Sequence, residues 1–175
     1  MKKLNMSFPD RIRFAVVTLS DRASRGEYED LSGPAITALI NEYFAARSFP
    51  VDIENIIIPD DPKRLSALIL SYRERNLEVI FTTGGTGLGP RDFTPDVVKP
   101  LLDKEIPGVM EMIRVKYGME KPAALVSRSI AGVTAKTLVY CLPGSRKAVA
   151  EYCNEILPTI IHSIKMILGI DDHNC

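Results

Sequence analysis

Residues 79–87 have the sequence VIFTTGGTG, and this segment is the strongest indication of how the chain folds. Val79–Thr83 is a short β-branched and aromatic run that is apolar on both faces. Such a run is typical of a strand in the middle of a parallel sheet, where helices cover both sides. Gly84 and Gly85 end the strand and begin a loop. The segment therefore predicts an α/β domain.

Further strands and helices alternate along the rest of the chain. Strands are predicted at residues 13–19, 51–57, 129–133 and 137–142, and the last two form a hairpin. Apolar residues at helical spacing predict helices that start near Ser32, Pro62, Thr94, Pro107 and Ser145. This order predicts a three-layer αβα fold with a mostly parallel sheet and one antiparallel strand.

Caps and prolines predict where several of these helices begin and end. Ser32, Asp61, Thr94 and Ser145 are the candidate N-caps, and Gly169 is the candidate stop of the last helix. Pro100 is expected to shorten the helix after Thr94, and Pro158 to interrupt the last one. Gly118 is expected to end the helix that Pro107 opens. The terminal residues 171–175 (DDHNC) are expected to fray.

Composition excludes several classes of function. The 175 residues fit one domain, 1–175, with a core of about 12–169. Lysine and arginine number 22, aspartate and glutamate also 22, so no nucleic-acid partner is expected. No apolar run approaches the roughly 18–20 residues that span a membrane, and the start MKKLNMSFPDR lacks an apolar signal core. A cytoplasmic location is expected.

Cysteine and histidine chemistry is also disfavoured. Cys141, Cys153 and Cys175 form an odd set without a C-x-x-C pair, which argues against a disulfide framework and against a zinc site. The only histidines, His162 and His173, are expected to be surface or packing residues.

Four polar loops follow the predicted parallel strands: SDRAS, IPDD, TTGGTG and LPGS. Ligands of such folds bind beyond the carboxyl ends of the strands. In TTGGTG, glycines let backbone N–H groups converge on an anion and threonine hydroxyls add donors, so a phosphate site is predicted. The alternative is a tight strand-to-helix turn. The motif is neither a Walker A loop nor G-x-G-x-x-G, because Pro90 stands at the third glycine position.

Carboxylates surround this loop in the predicted topology. Asp60 and Asp92 have no obvious capping role, whereas Asp61 and Asp96 suit helix N-termini. Carboxylates beside a phosphate need a compensating cation, and Mg²⁺ bound through one or two carboxylates and substrate phosphates supplies it. Asp60 and Asp92 are therefore the candidate metal ligands.

The first and last loops offer a second group of polar residues: Ser20, Asp21, Arg22 and Ser24 after the first strand, and Ser145, Arg146 and Lys147 after Pro143-Gly144. Ser145 alone is most simply a helix cap. Together with the helix dipole and Lys147, it would suit a second anion. Two anion sites beside paired carboxylates predict an enzyme that joins two phosphate-bearing substrates.

Six motifs stand in a fixed order along the chain: VVTLSDRASRGEYED, IIIPDD, FTTGGTGLGPRDFTPD, EIPG, LVSRSIAGV and LPGS. In order and spacing, over roughly residues 13–168, they resemble the MogA-like molybdopterin adenylyltransferases of molybdenum-cofactor biosynthesis. TTGGTG followed by PRD-x-TPD is the most specific of them. The same domain occurs in gephyrin, so the fold extends beyond one activity.

The resemblance implies a trimeric α/β enzyme that uses Mg-ATP to adenylylate the terminal phosphate of molybdopterin and releases pyrophosphate. By matching motif, Asp60 and Asp92 hold Mg²⁺ and support catalysis. The other implied substrate-binding residues are Ser20, Asp21, Arg22, Thr83, Gly84, Gly85, Thr86, Gly87, Arg91, Pro143, Gly144, Ser145 and Lys147. A molybdenum-inserting enzyme would receive the product.

Two other functions are compatible with the same motifs. The first is a non-catalytic molybdopterin-binding or scaffold module, and the second is a metal-inserting relative of the same fold. Asp60, Asp92 and the complete TTGGTG motif favour the enzyme, because a binder has no need of paired carboxylates against a triphosphate. Metal-inserting relatives are expected in longer, multidomain chains.

Overall fold

A six-stranded sheet forms the centre of the protein in the computed structural model, which describes residues 7–170. Its strands stand in the order β2-β1-β3-β6-β5-β4. Four of them, β1, β2, β3 and β6, run parallel, while β5 pairs antiparallel with β6 and β4 with β5. Their bounds are β1 Ile12–Leu19, β2 Val51–Ile58, β3 Val79–Thr83, β4 Lys104–Glu105, β5 Ala131–Thr134 and β6 Thr137–Leu142.

Helices cover both faces of the sheet. They are α1 Asp21–Ser24, α2 Ser32–Ala45, α3 Pro62–Glu74, α4 Thr94–Val98, α5 Pro107–Gly118 and α6 Arg146–Leu168, with 3-10 turns at Lys99–Leu101 and Pro122–Val126. One buried cluster joins Phe14, Phe81 and Tyr140 of the sheet to α2, α5 and α6. The other joins Ile80 and its neighbours to α3 and α4. The predicted three-layer αβα fold is confirmed.

The antiparallel end of the sheet is larger than predicted. The predicted hairpin is present as β5 and β6, although β5 starts at Ala131 rather than at residue 129. Beyond it lies β4, whose Lys104 and Glu105 pair with Val133 and Gly132. A two-residue strand leaves no periodic pattern in a sequence, so this edge was not predicted.

The last helix runs through Pro158 without a break, so the predicted interruption is wrong. A proline inside a helix costs about 3 kcal/mol through its missing N–H and a steric clash. Ile156, Ile160 and Ile164 are buried on the same helix. Each such side chain contributes about 1.5–3 kcal/mol when fully buried, which together exceeds the cost of the proline.

Two of the predicted N-caps act differently. Asp30, not Ser32, accepts from the first N–H groups of α2, those of Ser32 and Gly33, at 2.9 and 3.1 Å. Thr94 lies inside α4 and its hydroxyl donates to the Gly84 carbonyl at 2.8 Å. Both hydroxyls donate to carbonyls of neighbouring loops, Ser32 to Gly144 and Thr94 to Gly84. Local sequence does not show such long-range hydrogen bonds.

Other expected helix ends are confirmed. Asp61 and Ser145 cap α3 and α6, α5 ends at Gly118, and Gly169 takes the left-handed conformation after α6. Pro100 lies in a 3-10 turn directly after the short helix α4. The predicted fraying of residues 171–175 lies outside the described residues.

The described cysteines are buried and the described histidine is exposed. Cys141 and Cys153 are buried free thiols, and burial raises the pKa of each to about 12. His162 is exposed on α6. Cys175, His173 and the first six residues lie outside the described part of the chain. Within residues 7–170, no helix is long and apolar enough to cross a bilayer.

Candidate active site

Two neighbouring cavities open at the carboxyl ends of the four parallel strands. The loops after β1, β2 and β3 enclose the first cavity, of about 540 Å³. The loops after β1, β3 and β6 enclose the second, of about 370 Å³. Leu19, Ser20 and Arg22 line both of them. The first cavity is otherwise lined by Asp21, Arg25, Asp60, Gly85, Gly89, Pro90, Arg91 and Asp92.

The loops after β1 and β2 are joined by two aspartates. The backbone N–H of Asp60 donates to Oδ1 of Asp21 at 3.0 Å, and the N–H of Asp21 donates to Oδ2 of Asp60 at 3.3 Å. Arg91 reaches the other oxygen of Asp21 from the loop after β3, with Nη1 at 3.3 Å from Oδ2. This network brings the first three loops together and directs two carboxylates and a guanidinium into the first cavity.

Asp92 is held by a tight turn within its own loop. Its N–H donates to the Gly89 carbonyl at 3.0 Å, and its Oδ2 accepts from the Gly89 N–H at 2.7 Å. A Cβ at Gly87 or at Gly89 would lie 2.8 Å from the same oxygen, so a larger residue at either position would displace the Asp92 carboxylate. The second oxygen, Oδ1, accepts no hydrogen bond from residues 7–170 and is available to a cation.

The TTGGTG loop is strained in a way that only glycine tolerates. Gly84 and Gly85 have φ angles of +105° and +65°. A Cβ would lie 2.6 Å from the Leu19 carbonyl oxygen at Gly84 and 2.4 Å from the Thr94 hydroxyl at Gly85. The Gly84 N–H donates to the Leu142 carbonyl at 3.1 Å and therefore belongs to the scaffold.

The next three residues of this loop keep free backbone donors. The N–H groups of Gly85, Thr86 and Gly87 donate to no acceptor within residues 7–170. Consecutive free N–H groups in a glycine loop form a concave site for an anion. Gly85 lines the first cavity together with the three carboxylates, whereas Thr86 and Gly87 line neither cavity.

Hydroxyl groups and a helix N-terminus dominate the second cavity. Thr83 donates to the Pro143 carbonyl at 2.8 Å, and Ser32 to the Gly144 carbonyl at 2.7 Å, so the loop after β6 is tied to β3 and α2. Ser145 caps α6 by accepting from the Ala148 N–H at 3.2 Å. The remaining lining residues are Thr18, Ala23, Tyr28, Asp30, Leu31 and Arg146.

The two cations at the start of α6 point in different directions. Arg146 lines the second cavity, whereas Lys147, the residue selected from the sequence, does not. Lys147 lies beside Lys121, and this neighbouring ammonium lowers the pKa of Lys147. Lys121 pairs with Glu151 at 2.7 Å, which raises the pKa of Lys121.

Ten of the fifteen predicted site residues line the cavities. Seven of them are in the first cavity and five in the second, with Ser20 and Arg22 in both. Five others line neither cavity. They are Gly84, Thr86, Gly87, Pro143 and Lys147.

The carboxylates of the first cavity suit a hard cation that binds together with substrate phosphates. Within residues 7–170, no three His, Cys, Asp or Glu side chains are grouped closely enough to form an all-protein metal site. Mg²⁺ is commonly bound through one or two carboxylates together with substrate phosphates and water. Asp60 and Asp92, on separate walls of the first cavity, fit that mode of binding.

Several lining residues were not selected from the sequence. Arg25, Tyr28 and Asp30 belong to the polar segment after β1, which was treated as one loop. The segment contains a short helix, α1, and Arg22 lies over the Tyr28 ring at 5.0 Å from its centre. Asp30 could have been found, because aspartate is a preferred N-cap that accepts from the N–H groups two and three residues later, here those of Ser32 and Gly33.

Comparison with known proteins places the chain in one family. The family model described as a probable molybdopterin binding domain matches residues 15–162. A molybdopterin adenylyltransferase of Helicobacter pylori is 36% identical over 90% of this chain and 89% of its own length. Gephyrin of Dictyostelium discoideum is 37% identical over 87% of this chain, which spans only 22% of that longer protein.

Solved structures agree with this placement. The molybdopterin biosynthesis enzyme MoaB of Thermus thermophilus superposes with a TM-score of 0.77 at 36% identity, covering 90% of this chain and 97% of its own. The tungsten cofactor synthesizing protein MoaB of Pyrococcus furiosus superposes with a TM-score of 0.79 at 32% identity, covering 92% and 99%.

Proposed function

The chain belongs to the family of probable molybdopterin binding domains, and we propose that it is a molybdopterin adenylyltransferase. In this reaction the terminal phosphate oxygen of molybdopterin attacks the α-phosphorus of ATP. A new phosphoanhydride bond forms, the bond between the α-phosphorus and the bridging oxygen breaks, and pyrophosphate leaves. The product is adenylylated molybdopterin. The relative in Helicobacter pylori, which matches over most of both chains, carries the name of this activity.

The observation that carries the proposal is the pair of adjoining cavities with Ser20 and Arg22 on their common wall. A transferase must hold two substrates with their reacting atoms in contact. Two polar cavities that share a wall meet this requirement, and positioning of this kind accounts for much of the rate enhancement in group transfer. The shared Arg22 guanidinium lies where it can neutralise charge at the junction.

The first cavity is the site for the ATP phosphates in this proposal. Gly85, whose N–H is free, and the guanidinium groups of Arg22, Arg25 and Arg91 line this cavity and would supply donors for a triphosphate. Asp60 and Asp92 would hold Mg²⁺, and the bound ion would neutralise negative charge on the phosphates. Asp21 positions Asp60 through their paired hydrogen bonds.

The second cavity is the site for the molybdopterin phosphate. Ser145 and Arg146 stand at the N-terminus of the 23-residue helix α6, where backbone N–H groups and the helix dipole favour an anion. Arg146, and not the Lys147 expected from the sequence, supplies the cation there. The Asp30 carboxylate accepts hydrogen bonds from Thr18 at 2.6 Å and from the start of α2, which hold it in place and reduce its repulsion of a phosphate.

A purely binding module is the weaker alternative. Three carboxylates on the walls of one small cavity are unfavourable for a phosphate ligand unless a cation accompanies it. A protein that bound only molybdopterin would have no use for this arrangement. The carboxylates therefore favour turnover of a metal-bound triphosphate.

Assembly, partners and location are part of the same proposal. We expect a homotrimer of 19.4 kDa subunits, which hands its product to a molybdenum-inserting enzyme in the cytoplasm. The free thiols of Cys141 and Cys153 agree with a reducing compartment. Sedimentation at micromolar concentration tests the trimer, and a single 19.4 kDa species would contradict it.

The activity is tested by pyrophosphate release from ATP with Mg²⁺ and molybdopterin, together with mass spectrometry of the pterin product. Controls omit the pterin or the metal. We expect release that requires both, with one AMP added to each pterin. Tight pterin binding without release would instead identify a non-catalytic binding module.

A further inference from the structure

We propose that Arg128 is a positioning residue for the first cavity, because it fixes the loop that carries Asp92. The motif LVSRSIAGV contains this arginine, and neither cavity includes it in its lining. The identity of the bound ligand, Mg-ATP, rests on the proposed function. The geometry of the arginine does not.

Arg128 contacts the loop between β3 and α4 at three carbonyl groups. Its backbone N–H donates to the Thr86 carbonyl at 2.9 Å, and Nε donates to the Gly87 carbonyl at 2.8 Å. Nη2 donates to the carbonyl of Asp92. The two side-chain bonds thus hold both ends of the segment that contains the Gly89–Asp92 turn.

The guanidinium is itself held in place by an acid. Nη1 lies 2.9 Å from each carboxylate oxygen of Asp96 in the first turn of α4. The side chain of Arg128 is 33% exposed, against 61% for Asp96, so the arginine is the more enclosed partner. All three guanidinium nitrogens are therefore used, and a lysine ammonium cannot reproduce this planar set of donors.

The consequence for Asp92 follows from the geometry of its turn. The carboxylate is oriented by the Gly89 N–H, and the Arg128 side chain holds the carbonyls of Gly87 and Asp92 on either side of this turn. The glycines at 84, 85, 87 and 89 allow this loop many backbone conformations. The contacts of Arg128, from the segment before β5, restrict the part of the loop that carries Asp92.

Arg114 offers a matched control on the same segment. From α5, its Nη1 donates to the carbonyls of Ser129 at 3.0 Å and of Ser127 at 3.5 Å. It thereby anchors the residues on both sides of Arg128 without contacting the loop after β3. Arg114→Ala should loosen the segment as a whole, while Arg128→Ala should release the loop.

The experiment compares Arg128→Ala, Arg128→Lys and Arg114→Ala in the full chain. Calorimetry measures the dissociation constants of Mg-ATP and of molybdopterin, and thermal unfolding gives the stability of each variant. For Arg128→Ala we expect Mg-ATP binding to weaken about tenfold, since charge-assisted hydrogen bonds are lost. Molybdopterin affinity should stay within about twofold, because none of the residues that Arg128 contacts in the loop after β3 lines the second cavity.

The other variants separate positioning from general stability. Arg128→Lys keeps the positive charge but loses the planar set of guanidinium donors, so Mg-ATP binding should remain clearly weaker than in the unmodified protein. Arg114→Ala should lower the melting temperature and leave Mg-ATP affinity within about twofold. Arg128→Lys with unchanged Mg-ATP affinity, or Arg114→Ala with the same loss as Arg128→Ala, overturns the assignment.

Asp96→Asn separates the carbonyl contacts from the ion pair. It removes the charge partner and leaves the donors to Gly87 and Asp92 in place, so the loss of Mg-ATP affinity should be smaller than in Arg128→Ala. An equal or larger loss would overturn the assignment to the carbonyl contacts. The binding constants test the role of Arg128 and do not require turnover. The proposed activity is tested separately, because its failure would appear as absent pyrophosphate release in the unmodified protein.

Discussion

The two cavities stand side by side on one edge of the sheet, yet they differ in charge. The first is lined by three carboxylates, those of Asp21, Asp60 and Asp92, together with three guanidinium groups. The second contains one carboxylate, Asp30, which is engaged by α2 and Thr18. Mixed strong charges suit a polyphosphate that brings a cation, whereas hydroxyls and a helix N-terminus suit a single phosphate group.

The same difference is the basis for assigning one substrate to each cavity in the proposed reaction. Both cavities are formed by loops from the same parallel strands, and both depend on the segment after β1. The two cavities differ in one loop. The loop after β2 closes the first cavity, and the loop after β6 closes the second. Variants in those loops should therefore affect one substrate at a time.

The largest expected effect comes from Asp92→Asn, which removes one of the three negative charges of the first cavity and keeps the size of the side chain. We expect kcat to fall by about 100-fold or more, as for the loss of a group that stabilises transition-state charge. Steady-state kinetics of pyrophosphate release measures this. Molybdopterin affinity should stay within about twofold, since Asp92 does not line the second cavity. Near-normal turnover would remove Asp92 from the mechanism.

A smaller effect is expected from Arg146→Ala, which changes the second cavity alone. Molybdopterin affinity should fall about tenfold, as for one lost charge-assisted hydrogen bond, with Mg-ATP affinity unchanged. Lys147→Ala is the matched control, because this neighbour points toward Lys121 and outside the cavity. Calorimetric titration of both variants with molybdopterin decides which of Arg146 and Lys147 binds its phosphate. If Lys147→Ala shows the larger loss, the original assignment from the sequence is correct.

The smallest effect is expected from Ser145→Ala, which tests whether this hydroxyl does more than cap α6. Loss of an N-cap costs about 1 kcal/mol of unfolding free energy. Asp61→Ala removes the equivalent cap of α3, which lies outside both cavities, and should cost a similar amount. Only Ser145→Ala should also weaken molybdopterin binding. Equal binding in the two variants would leave Ser145 as a cap alone.

The sequence was most informative where local pattern determines structure. The buried run Val79–Thr83 and the four polar loops predicted the layers of the fold and the edge where the cavities lie. The acids Asp60 and Asp92 could be selected because no helix start explains them. Residues with specific caps, such as Asp61 and Ser145, were also placed correctly.

Long-range contacts account for what the sequence did not reveal. Ser32 bonds to Gly144, which is 112 residues away, and Thr94 bonds to Gly84 instead of capping its own helix. The role of Arg128 depends on carbonyls far earlier in the chain, at Thr86, Gly87 and Asp92. Which of Arg146 and Lys147 faces a cavity depends on the rotation of α6, which helical periodicity does not fix at a first turn.

The most direct test of the two-cavity account is a crystal structure of the protein with Mg²⁺, a non-hydrolysable ATP analogue and molybdopterin. We expect the triphosphate in the first cavity, with its metal between Asp60 and Asp92, and the pterin phosphate in the second, at Ser145 and Arg146. The reacting oxygen and the α-phosphorus should meet beside Ser20 and Arg22. Triphosphate density in the second cavity, or both ligands in one cavity, would contradict the account.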